Sequence, residues 1–121
     1  MKAAWLVACA GVAAWAVFGT AHARDAARGR ALYEARCSGC HSIAADRVGP
    51  RHAGLFGRRA GSVEGYEYSP ALAASKVVWN AATLERWLAD PEALIPGQRM
   101  NYRLAEARDR ADVIAYLQKA K

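Results

Sequence analysis

The chain has 121 residues, 54% hydrophobic and 23% charged, which leaves room for one small domain and excludes a multidomain architecture. Lys and Arg outnumber Asp and Glu 17 to 11, for a formal charge of +6. Such a surface attracts acidic partners; its basic residues are scattered and carry no recognition motif, so nucleic acid is not an expected partner.

The chain starts with a leader. Lys2 gives a positive start, Ala3 to Phe18 is almost wholly apolar, and Ala21-His22-Ala23 forms a small-residue cleavage site before Arg24-Asp25. This is the anatomy of a secretory signal peptide over 1–23, cleaved after Ala23 and leaving a domain of residues 24–121 for the periplasm. The alternative is an uncleaved leader that tethers the domain to a membrane through residues 3–21. Leu6-Val7-Ala8-Cys9 resembles a lipoprotein box, but Cys9 lies too early in the apolar run. Without the leader, sixteen basic residues face eleven acidic ones. A core of that length is marginal on its own.

Residues 25–36 form a predicted helix that Asp25 can cap, with Leu32 and Tyr33 towards a partner helix. Gly29 inside it marks either a close approach by another helix or a weak spot near a frayed end, since Gly costs roughly 1 kcal/mol there. Cys37-Ser38-Gly39-Cys40-His41 follows. C-x-x-C-H is the attachment signature of a c-type haem. Two thiols a short, fixed distance apart add across the two vinyl groups of one porphyrin, and the next residue brings an imidazole to the iron. A zinc site would need further Cys or His ligands. A thioredoxin-like site would need a βαβ pattern, and two cysteines in an oxidising compartment could also form a disulfide.

Residues 42–68 are rich in Gly, with Pro50 beside Gly49, and read as loops and turns. A loop that long needs something to wrap, such as a haem edge. Ser69-Pro70 opens a short helix to about Ser75, and Asn80 caps another through Ala89 with Leu84, Trp87 and Leu88 as its apolar stripe. Asp90-Pro91 is expected to end it, and Pro96-Gly97 makes a turn before Met100. The last helix spans about 105–119, with Val113, Ile114, Tyr116 and Leu117 on its inner face. No strand pattern appears, so the fold is expected to be mainly α.

A redox haem usually takes a second axial ligand. Met100, the only methionine after Met1, is the leading candidate, because a thioether favours reduced iron; the alternative is a core methionine filling a gap. His52 is open between a surface residue, a packing residue beside the haem and a rival ligand.

Further motifs follow: Gly49-Pro50, Gly54-Leu55-Phe56-Gly57-Arg58-Arg59-Ala60-Gly61, Tyr66-Glu67-Tyr68-Ser69, Trp79, Trp87-Leu88-Ala89-Asp90-Pro91, Ile95-Pro96-Gly97-Gln98-Arg99-Met100 and Arg110 to Leu117. With Cys37–His41 they resemble the class I c-type cytochromes, the mitochondrial-type cytochromes c and their bacterial relatives, from about Gly29 to Leu117. The resemblance implies a mainly α cytochrome c fold, with three to five helices wrapped around one covalently bound haem c. Its N- and C-terminal helices would pack crosswise, Gly29 and Tyr33 against Tyr116. Cys37 and Cys40 would carry the thioether bonds, and His41 and Met100 would be the axial ligands. The Pro50 carbonyl would accept a hydrogen bond from the other ring nitrogen of His41. Arg58, Tyr68 and Trp79 would hold the propionates, with Ser69 helping.

Three positions depart from the family pattern. His52 replaces a usual Leu near the proximal ligand. Trp87 replaces the Tyr that in many relatives donates to the Met sulfur. Met100-Asn101-Tyr102-Arg103-Leu104 lacks a Gly and is one residue short. The implied function is a soluble, monomeric one-electron carrier, not an enzyme, that forms transient complexes with a membrane reductase, an oxidase or a periplasmic dehydrogenase. The rival readings are a haem enzyme or gas-binding protein with a labile sixth ligand, and a membrane-anchored carrier.

Overall fold

Asp25 begins the first helix by accepting a hydrogen bond from the Arg28 amide at 2.9 Å. The computed structural model describes residues 14, 16 and 23–121, so almost all of the leader, with Cys9 and most of the cleavage site, lies outside the described residues. Among the described residues five helices follow in chain order: α1 (Ala26–Arg36), α2 (Pro70–Ala74), α3 (Ala81–Ala89), α4 (Pro91–Leu94) and α5 (Ala107–Lys119). Ser69 caps α2 before Pro70, and Asn80 caps α3 in a reciprocal box with Thr83. Among the described residues the only β pairing is an isolated bridge between Arg59 and Val78.

Two boundaries differ from the expectation. Asp90 ends α3, and its side chain also accepts from the Ala93 amide, so Pro91 opens the short helix α4. The Asp-Pro pair is both a stop and a start, because Pro cannot continue one helix but is pre-set for the first position of the next. The last helix begins at Ala107, two residues late, with no side-chain cap from Glu106.

α5 packs on α1 and α3. Gly29 is where α1 meets α5. A Cβ there would lie 1.8 Å from the Asp112 carbonyl oxygen, so close approach, not fraying, explains the glycine. Beside it, the Tyr33 and Tyr116 rings pack with centroids 5.3 Å apart. Asp112 is fully buried, which the apolar periodicity of α5 did not suggest. Its carboxylate accepts from the Asp25 amide at 2.9 Å and from Arg28 at 2.7 Å, while the other arm of Arg28 reaches Asp109 at 2.6 Å. Tyr33, Leu84, Leu88, Val113, Ile114 and Leu117 are buried in the core between these helices. The segment 42–68 is ordered by backbone bonds to its surroundings: Gly54 to Ala120, Gly57 to Trp79 and Ala60 to Val77.

Candidate functional site

α1 runs into the Cys37–His41 turn without interruption. The Cys37 amide donates to the Tyr33 carbonyl, and the Cys40 and His41 amides donate to the Cys37 carbonyl at 3.1 and 2.9 Å. This turn sets both free thiols and the imidazole on the wall of one cavity of about 730 Å³. Cys40 is exposed; Cys37 is half-buried, and burial pushes its thiol up to about 11.

His41 Nδ1 lies 2.9 Å from the Pro50 carbonyl oxygen. A carbonyl only accepts, so Nδ1 carries the proton and Nε2 keeps its lone pair. Burial pushes the ring pKa below its ordinary value, offset in part by the Pro50 bond, and this favours the neutral ligand form. The backbone of Gly49 lies against the ring: a Cβ there would be 2.1 Å from His41 Cε1, so only glycine fits.

The other expected residues, Pro50, Arg58, Tyr68, Ser69, Trp79, Trp87 and Met100, line the same cavity. Trp79 and Trp87 are buried and pack edge to face at 5.3 Å. Tyr68 accepts from the Val63 amide through its hydroxyl, and the Ser69 hydroxyl accepts from Leu72. Arg58 donates to the carbonyls of Ala53 and Arg51, at 3.1 and 2.8 Å, which fixes the guanidinium at the cavity wall. Met100 is half-buried on a tethered segment. Before it, Glu92 accepts from the Gly97 amide and Gln98; after it, Leu104 donates to the Leu88 carbonyl. Arg110 donates to the carbonyls of Leu104 and Ala105 and pairs with Glu85 at 2.7 Å.

His52 is a packing residue. Its ring stacks on His41, with centroids 4.1 Å apart and planes 24° apart, and its Nδ1 is 2.9 Å from the Tyr33 hydroxyl. A ring stacked on His41 is not placed to be a ligand facing it. Sequence reasoning also missed Tyr102. It lines the cavity beside Met100, and its hydroxyl is buried without a partner. The aromatic two residues after Met100 was the available signal.

The site suits a large, flat, mostly apolar group with its own metal. Among the described residues no cluster of three or more His, Cys, Asp or Glu is arranged for a bare metal ion, which disfavours the zinc reading. A neutral imidazole, a thioether, two adjacent thiols and an apolar chamber instead fit a haem held by covalent bonds. The sequence profile of the family Cytochrome c matches residues 26–121. The chain belongs to the cytochrome c family.

It is 42% identical over 97 residues to the cytochrome c of Gibberella zeae, covering 77% of this chain and 92% of that one. It is 41% identical over 98 residues to the cytochrome c of Stellaria longipes, covering 78% and 91%. Among solved structures, cytochrome cH from Methylobacterium extorquens is 38% identical and superposes with a TM-score of 0.74, over 78% of this chain and 97% of that one. As a cytochrome c, the protein is a one-electron carrier with covalently attached haem c, and the positions of His41 and Met100 fit His/Met ligation. Among the described residues no helix is long and apolar enough to cross a membrane.

Proposed function

We propose that this cytochrome c binds its haem through Cys37 and Cys40, takes His41 and Met100 as axial ligands, and shuttles electrons between redox proteins outside the cytoplasm. The observation that carries the reading is the His41 ring, protonated at Nδ1 by its bond to Pro50 and set on the wall of an apolar cavity that Met100 also lines. The Cys37 and Cys40 thiols would each add sulfur and hydrogen across one vinyl group, with nothing lost in attachment. When bound, the haem supplies an iron that gains and loses one electron. The chain does the rest. Pro50 and Gly49 orient His41, the buried Trp79 and Trp87 exclude water, and the tethers at Glu92 and Arg110 hold the Met100 segment in place. Arg58, Tyr68, Ser69 and Trp79 bring polar groups to the cavity lining and would receive the propionates.

The leader over 1–23 supports export to the periplasm, and the basic surface suits acidic redox partners met in brief, small interfaces. With both His41 and Met100 as its ligands the iron would have no position for a substrate, as a soluble monomeric carrier requires. Optical spectra of the oxidised and reduced holoprotein, with and without carbon monoxide, test the reading. A low-spin spectrum with the weak far-red sulfur–iron band, unmoved by carbon monoxide, is expected. Ready carbon monoxide binding with no such band would point to a labile sixth position and an enzyme or sensor. Met100→Ala should lower the potential and open the iron to carbon monoxide; an unchanged potential would remove Met100 as the ligand.

A further inference from the structure

Tyr33 and His52 form a buried polar pair that the attachment chemistry does not use. Tyr33 lies on α1, 4% exposed, and is braced by Tyr116 of α5. The Tyr33 hydroxyl and His52 Nδ1 are hydrogen-bonded at 2.9 Å. This bond fixes the His52 ring in its stack on His41. Filling the space alone needs neither polar group, and burying a phenol and an imidazole is costly unless they are paired.

The Pro50 bond holds the His41 ring at Nδ1, in the plane of the ring, and makes no contact with its face. Gly49 lies against the ring at Cε1, and the His52 stack covers its face and adds a restraint on its tilt. We propose that His52, anchored by Tyr33, is a positioning residue that sets the plane of the His41 ring and lowers the reduction potential. The inference rests on His41 being an iron ligand. The potential falls because the oxidised iron carries one more positive charge than the reduced iron. A polar, polarisable ring beside its ligand stabilises that charge better than an aliphatic side chain does.

The test uses the holoprotein and two variants, His52→Leu and Tyr33→Phe, read by potentiometry and by the hyperfine-shifted proton spectrum of the oxidised form. The order of the haem methyl shifts in that spectrum reports the plane of the axial imidazole. His52→Leu should raise the potential, shifting the redox equilibrium threefold to tenfold, up to about 59 mV for one electron, and should reorder the methyl shifts. Tyr33→Phe keeps both rings and should move both readouts the same way by less. A lower unfolding midpoint with potential and methyl order unchanged would reduce His52 to packing and overturn the proposal. If His52→Leu does not assemble, Tyr33→Phe decides, and its indifference in both readouts overturns the proposal. Wild-type shifts that place the axial imidazole on another residue would overturn the ligand reading and this proposal together.

Discussion

Glu92 holds the turn before Met100 with one carboxylate, accepting from the Gly97 amide at 2.9 Å and from Gln98 at 3.0 Å. Those bonds, the Gly97 amide first, hold its carboxyl below the usual value of 4.5. A depressed carboxylate stabilises the folded state above its unfolded pKa, and that contribution is lost as the pH falls through the lower folded value. Hydrogen exchange at the Gly97 amide should therefore lose protection as the pH drops below about 4.5, and Glu92→Ala should remove that dependence. Equal pH profiles in the two proteins would deny Glu92 the role. At this scale the sequence was uneven in what it disclosed. Cys37, Cys40 and His41 are contiguous, and their spacing states their chemistry. Tyr33 and His52 are nineteen residues apart and meet only because of the path the loop takes, which no local pattern encodes. Arg58 was legible as a cavity residue, but its bonds to Ala53 and Arg51 depend on how 51–58 folds back.

Among the elements, the α1–α5 joint carries the sharpest expectation. Gly29→Ala would drive a methyl group into the Asp112 carbonyl, with backbone on both sides and no flexible side chain to yield. It should cost about 3 kcal/mol, the upper end for overpacking, read as a drop in the denaturant midpoint at unchanged slope. Asp112→Ala would leave the Asp25 amide and Arg28 without their buried acceptor and should lower the thermal midpoint of the holoprotein. No change would mean that water replaces the carboxylate at no loss. The helices themselves were largely legible: Asp25, Ser69-Pro70 and Asn80 announce their starts by capping chemistry. The short helix α4 was not, because Asp90-Pro91 ends one helix and begins the next within two residues. Asp112 was hidden for another reason. Periodicity counts apolar residues, and a charge on the inner face becomes intelligible only when Arg28 arrives from the far end of the chain.

For the whole molecule, charge governs encounter. With 17 basic residues against 11 acidic ones in the chain, association with an acidic redox partner should slow as salt is raised, most steeply below about 0.1 M where screening is weak. Stopped-flow rates against an anionic and a cationic redox reagent check this. The anionic reagent should slow with salt and the cationic one should not, and identical salt slopes would count against steering. The cavity sets a different constraint. The cavity of about 730 Å³ is lined by the core residues Leu55, Leu72, Leu84, Leu88, Val113 and Leu117, so a haem seated there would complete the core of this small domain. Cys37→Ala with Cys40→Ala should therefore give a chain with little helical circular dichroism and rapid proteolysis. A chain whose core is completed by its haem would be joined to it before it closes: both thiols would be reached while the chain is open, and a copy without haem would stay open to proteases.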